Sequence, residues 1–258
     1  MRPERRKSFM SECKVYTICN QKGGVAKTTS ALALGTGLRS KGYKVLFIDL
    51  DAQCNLSYSL GMTGQPTLSA VELLSGDFDP SAIKADLIKG DERLSSANMV
   101  LTDTGKEYRL KEALKKLQDK YDYCIIDTPP SLGILTVNAL TASQSAIVPA
   151  QADFYSLQGI GQLVKTINSV KKYCNSELKI KGILLTRYNA RTILSRDLTE
   201  VLKKTAEQLE TKLFNAKIRE CTAVKEAQGM RQDVSSYAPQ SNAALDYKDF
   251  VKEYIKSK

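Results

Sequence analysis

Residues 15–29 read VYTICNQKGGVAKTT, and SALALGTGL follows at 30–38. An apolar run that breaks on two glycines and resumes as small, apolar helix formers predicts a strand, a tight turn and a helix. Gly23 and Gly24 let the backbone turn sharply and aim successive N–H groups inward. Those donors, with a helix N-terminus behind them, make a cradle for phosphate oxygens. Lys27 stands where it bridges two phosphates, and the Thr28 hydroxyl where it ligates Mg²⁺. The usual spacing GxxxxGK[ST] is altered, because Ala26 precedes the lysine and Asn20 or Gln21 fills the first glycine position.

Outward from that stretch, short apolar runs alternate with helical ones. Strands are predicted at 15–19, 45–48, 123–126, 146–148, 180–185 and 212–216. Helices are predicted at about 27–41, 108–119, 133–142, 157–173, 193–209 and 242–256. Several strands are near-continuous apolar runs, as in sheets covered on both faces. The alternation predicts an α/β fold in a single domain: a parallel twisted sheet, right-handed crossovers and helices on both faces. Ligands of such sheets bind beyond the carboxyl ends of the strands. Two runs end there in acid: 45–48 leads into Asp49-Leu50-Asp51-Ala52-Gln53, and 123–126 into Asp127-Thr128-Pro129-Pro130. A carboxylate so placed faces a Mg²⁺ shell, which makes Asp51 and Asp127 metal candidates beside Thr28. Asp51 also stands where it would orient an attacking water, so Lys27 and Asp51 are candidate catalytic residues.

The 258 residues suit one sizeable α/β domain. The chain has no histidine, which removes Ser-His-Asp triads and HExxH zinc sites. Phosphoryl transfer relies on positioning and charge neutralisation, so it loses nothing. The six cysteines, at 13, 19, 54, 124, 174 and 221, form no CxxC pair and read as scattered reduced thiols. The net charge is +10, unevenly spread: residues 159–258 hold 19 basic and 11 acidic side chains. A basic C-terminal region predicts a polyanionic partner. Residues 1–10 read as a basic N-terminal arm ahead of a domain at 11–258, and either Met1 or Met10 serves as a start. No apolar signal core or membrane-spanning run is present, so the chain is expected in the cytoplasm.

KGGVAKTT at 22–29, DLDAQ at 49–53, EYRLKEAL at 107–114, YDYCIIDTPPSLGILTVNAL at 121–140 and LLTRYNAR at 184–191 together resemble one family. It is the ParA/Soj partition ATPases, deviant-Walker members of the P-loop NTPases (SIMIBI class, ParA/MinD superfamily). The resemblance covers nearly all of residues 13–250. It implies a P-loop NTPase-like fold and a slow, Mg²⁺-dependent ATPase. It also implies a homodimer formed around ATP, non-specific DNA binding on the nucleoid, and release by hydrolysis that a ParB-type centromere-binding adaptor stimulates. Lys22 matches the signature lysine that reaches the partner subunit's ATP, which adds it to the catalytic set. Lys22, Gly23, Gly24, Val25, Ala26, Lys27, Thr28 and Thr29 match the ATP-binding loop. Asp127 matches the Walker-B residue, Asp51 the aspartate needed for hydrolysis and Asp49 its companion. The family's nucleobase contacts map near 187–189 and 218–221, here Arg187, Asn189 and Arg219.

The family usually has glycine at Ala26 and proline at Ala52. Many relatives also place DNA-contacting arginines where this chain has Gln240 and Asn242. DNA candidates chosen for charge alone are Arg219, Lys225, Arg231, Lys248 and Lys252. Two rival readings remain: a MinD-like ATPase cycling on a membrane surface, and a nucleotide-switched DNA-binding regulator. The first needs an amphipathic last helix, and Tyr247, Phe250, Val251, Tyr254 and Ile255 do recur at helical spacing. The alternative use of that stripe is packing on the sheet, which leaves membranes disfavoured as partners.

Overall fold

A computed structural model describes residues 13–62, 64–97 and 101–256. The arm at 1–10 lies outside the described residues. Among the described residues seven strands form one sheet: β1 (Lys14–Ile18), β2 (Val45–Asp49), β3 (Leu87–Ile88), β4 (Tyr123–Asp127), β5 (Ser145–Ala150), β6 (Lys179–Tyr188) and β7 (Leu213–Arg219). Their spatial order is β3-β2-β4-β1-β5-β6-β7, and every pairing is parallel. The chain leaves β1 toward β2 on one side, while β5 to β7 build outward on the other. The direction of winding therefore reverses beside β1, and this is where a ligand crevice opens.

Each predicted strand appears, with ends moved by a few residues. The central strands are buried throughout because helices cover both faces. On one face lie α1 (Lys27–Arg39) and α10 (Asn242–Lys256), packed with β1, β2, β4 and β7. On the other lie α3 (Ala70–Ser75), α4 (Arg109–Lys115), α5 (Ile134–Ala142), α6 (Phe154–Tyr173) and α7 (Ile193–Gln208). Three short helices, α2 (Asn55–Ser59), α8 (Thr222–Gly229) and α9 (Val234–Tyr237), flank the ligand end.

The face carrying α1 is tightly seated. A Cβ on Gly35 would come within 2.1 Å of the Phe47 ring, so α1 lies directly on β2. The α10 stripe predicted for packing or membrane contact is interior: Tyr247, Phe250, Val251 and Tyr254 join the core. Glu253 fastens the same helix to the sheet edge, accepting hydrogen bonds from the backbone N–H groups of Asn215 at 3.1 Å and Ala216 at 3.0 Å. None of the six cysteines is exposed or bonded to another, in keeping with reduced thiols.

Candidate phosphate-binding site

The strand ends meet in a cavity of about 610 Å³, within the range of small-molecule sites. Its phosphate end is built by Gly23, Gly24, Ala26, Lys27, Thr28 and Thr29 at the start of α1, opposite Asp51. Gly24 and Ala26 hold left-handed backbone, φ +72° and +60°. Glycine bears this freely, whereas the Ala26 methyl costs about 1 kcal/mol. Val25 is fully buried, and its carbonyl accepts a hydrogen bond from the Thr186 hydroxyl at 3.1 Å. That contact ties the loop to β6.

Lys27 is buried, and its ammonium donates to the Lys22 carbonyl at 3.1 Å. Burial lowers its pKa, while Asp127 and Asp51 oppose the shift. The Thr28 hydroxyl donates to Asp127 Oδ2 at 2.6 Å. Asp127 is fully buried, and its other oxygen has no partner. Burial raises its pKa well above the carboxylate range, and the neighbouring Asp49 adds to the rise. An orphaned carboxylate oxygen beside a hydroxyl is costly unless a cation satisfies it. The Thr28–Asp127 pair therefore fits a divalent ion, directly or through its water shell.

Asp49 is also buried, in register with Asp127 on the next strand, and burial raises its pKa to about 6. Its Oδ2 accepts from both the N–H of Ser57 at 2.9 Å and the Ser57 hydroxyl at 2.7 Å. Asp51 lies two residues on and half-buried, lining the cavity.

Lys22 is not among the cavity-lining residues. Its ammonium is paired with the Asp153 carboxylate and lies 3.1 Å from Gln151 Oε1. Asp153 is also the N-cap of α6, accepting from Ser156 N at 2.8 Å. Burial alone would raise the Asp153 pKa, but hydrogen bonds from Lys22 and Ser156 carry it below the usual range.

The far end of the cavity is lined by Tyr58, Thr186, Arg187, residues 218–221, Val224, Lys225, Gln228 and Tyr247. The Arg187 guanidinium bonds Glu220 at 2.7 Å. Asn189 is not among the lining residues, and its side chain accepts from the N–H of Arg191 at 3.0 Å. The five DNA candidates scatter. Arg219 is bidentate on Asp246, Lys225 lines the cavity, and Arg231 lies over the Tyr58 ring at 4.8 Å. Lys252 pairs with Asp249, while Lys248 is exposed on α10. Sequence reasoning did not find Asp153, Gln151, Tyr58 or Ser57, and it reached Glu220 only as part of the 218–221 stretch. Only Asp153 carried a signal, as a cap four residues before the predicted start of its helix.

Strand, glycine turn, helix N-terminus and paired acids at the switch point define a P-loop nucleotide-binding protein. Residues 13–180 match the sequence profile of the family described as AAA domain. Sporulation initiation inhibitor protein Soj of Bacillus subtilis is 39% identical over 249 residues, covering 93% of this chain and 97% of Soj. Chromosome partitioning protein ParA of Caulobacter vibrioides is 37% identical over 253 residues, covering 94% of each. Among solved structures, cobyrinic acid a,c-diamide synthase of Mycobacterium smegmatis with bound ADP and magnesium superposes with a TM-score of 0.78. It is 36% identical, and 93% of each chain is covered. The chain belongs to the ParA/Soj family of partition ATPases. A second structure of that synthase, at the same TM-score and identity, holds an ATP analogue and magnesium.

Proposed function

We propose that this chain is a partition ATPase that pairs face to face around ATP, holds DNA while paired, and lets go on hydrolysis. The observation that carries the reading is the division of labour between two loop lysines. Lys27 is buried within its own cradle, whereas Lys22 points out of it. A lysine turned away from its own phosphates is available to those of a second copy. Two nucleotide-free faces have no anion between them to draw the lysines across, and each Lys22 stays paired with its own Asp153. With triphosphate held between them the signs alternate, and the contact becomes attractive.

Within one site, Lys27 and the loop amides neutralise and orient the phosphates. Thr28 and Asp127 hold Mg²⁺, which supplies further charge neutralisation. Asp51, facing the phosphate end, orients the attacking water. Pairing doubles the basic surface, and phosphate contacts add in log affinity. DNA affinity therefore follows nucleotide state, with reciprocal linkage. Lys248, Lys252 and Lys256 recur every fourth residue on the exposed side of α10 and are the best-placed polyanion contacts, joined by Arg231. Arg219, held by Asp246, belongs to the nucleotide cavity instead. A ParB-type adaptor supplies the stimulus for hydrolysis, and DNA holds the protein on the nucleoid. The membrane-cycling alternative is disfavoured because the apolar face of α10 is already spent on the core.

The test measures oligomeric state and DNA affinity with a non-hydrolysable ATP analogue, with ADP and with no nucleotide, over a salt series. The parent dimerises and binds DNA only with the triphosphate, Lys22→Ala binds nucleotide without dimerising, and Lys27→Ala loses nucleotide. A chain that stays monomeric when saturated with the analogue refutes the reading.

A further inference from the structure

The loop that carries Asp51 leaves β2 at Asp49 and turns back as α2, with one carboxylate gripping both of its ends. Asp49 Oδ1 accepts from the N–H of Asp51 at 3.2 Å, and Asp49 Oδ2 accepts from the N–H and hydroxyl of Ser57. Ser57 is buried at 3% exposure. With its single proton committed to Asp49, its hydroxyl oxygen accepts from the backbone N–H of Gly90 at 2.8 Å. Gly90 lies just beyond β3, and it is pressed into the loop. A Cβ there would come within 2.9 Å of the Asp51 carbonyl oxygen and 3.0 Å of the Asp49 carboxyl carbon. One hydroxyl therefore ties three segments together: the end of β2, the first turns of α2, and the end of the edge strand.

We infer that Ser57 is a positioning residue for ATP hydrolysis, acting through Asp49 and Gly90 to hold Asp51 at the phosphate end. The inference rests on the ATPase reading above. Ser57 is buried and is not among the residues lining the cavity, so its proposed role runs through the residues it touches. The Asp51 carboxylate has one oxygen committed to the N–H of Gln53 at 3.0 Å, within its own turn. Its aim is therefore set by where that turn sits, and the turn is fixed by Asp49 and Ser57. Removing the hydroxyl frees the Gly90 N–H inside the protein and takes one of two bonds from Asp49 Oδ2. The loop relaxes, and a carboxylate displaced by a fraction of an ångström loses its hold on the attacking water. The phosphate cradle, built on α1 and β4, is untouched.

The test compares Ser57→Ala, Ser57→Thr and the parent in full-length protein with Mg²⁺ and DNA. It reads steady-state ATP turnover, affinity for a fluorescent ATP analogue, and thermal midpoint. Ser57→Ala lowers kcat about tenfold or more while analogue affinity stays within about twofold, and Ser57→Thr, which keeps the hydroxyl, restores turnover. Should Ser57→Ala fail to fold, Gly90→Ala displaces the same loop from the other side and is held to the same split. Parental kcat in Ser57→Ala, or a kcat loss matched by an equal loss of affinity, overturns the inference. A parent chain with no ATP turnover refutes the ATPase reading itself, which distinguishes the two failures.

Discussion

If the chain pairs around ATP as proposed, replacing Asp153 with asparagine should tighten the pair. Lys22 is held by Asp153 and Gln151 of its own chain, so on the proposed reading it breaks that ion pair before serving a second site. The two side chains are 24% and 31% exposed, which makes the pair partly solvated. Pairs of this kind contribute up to about 1 kcal/mol. Asparagine removes the charge but keeps an oxygen for the Ser156 N–H, so the α6 cap survives. Each subunit then releases Lys22 at about 1 kcal/mol less cost. A symmetric pair counts the saving twice, so about 2 kcal/mol lowers the dimer dissociation constant roughly thirtyfold. Sedimentation equilibrium with a non-hydrolysable ATP analogue measures it directly, and the gain should shrink as salt rises. In a Lys22→Ala background the substitution should have no effect, because nothing remains to be released. A weaker dimer in Asp153→Asn would refute the reasoning, since it would mean that the carboxylate serves the assembled state rather than opposing it.

Gly35→Ala places a methyl within 2.1 Å of the buried Phe47 ring, forcing α1 off β2. Denaturant titration should show a loss of about 1–3 kcal/mol or more, and a change under 0.5 kcal/mol would contradict the packing. Cys54 sits in the Asp51 loop, and its thiol is pushed up to about 11, first by burial and then by Asp49, Asp91 and Glu92. The rise depletes thiolate, so alkylation by iodoacetamide at pH 8, followed by mass spectrometry, should run about a hundredfold slower than for an unhindered cysteine peptide. Equal rates would refute the assignment.

The sequence exposes what is continuous along the chain. Gly23, Gly24 and residues 26–29, which line one end of the cavity, are neighbours along the chain, so their grouping is visible in the sequence. Asp49 and Asp127 follow apolar runs whose burial on both faces needs no knowledge of partners. The far end of the cavity is different. Tyr58, Arg187, Glu220, Gln228 and Tyr247 come from five segments that the sheet order β3-β2-β4-β1-β5-β6-β7 and the helices on it bring together. No spacing rule encodes that meeting. Strand β3 escaped notice because two residues, Leu87 and Ile88, carry no period. The start of α6 was placed three residues late, since Asp153 was not recognised as its cap. Arg219, a candidate for both nucleotide and DNA, is bonded to Asp246, 27 residues away, and only the fold brings the two together.

Different forces hold different parts of the site. Lys27 and Thr28 ride on α1, which is seated on β2 by the Gly35–Phe47 contact and on α10 by Gly37 against Val251. Packing of that kind has no second arrangement of similar energy. The Lys22 side chain and the aim of Asp51 depend on a few polar contacts ending in Asp153 and Asp49, although the Asp51 loop is also packed through Leu50, Leu56 and Gly90. Each such polar contact contributes only about 0.5–3 kcal/mol, an amount a triphosphate and its metal can outbid. Ala26 and Arg187, which line the cavity, and Cys54 in the Asp51 loop also hold left-handed backbone, at a further cost of about 1 kcal/mol each. A buried cradle fixed by packing, beside side chains aimed by replaceable hydrogen bonds, lets nucleotide change the rim without disturbing the core that binds it.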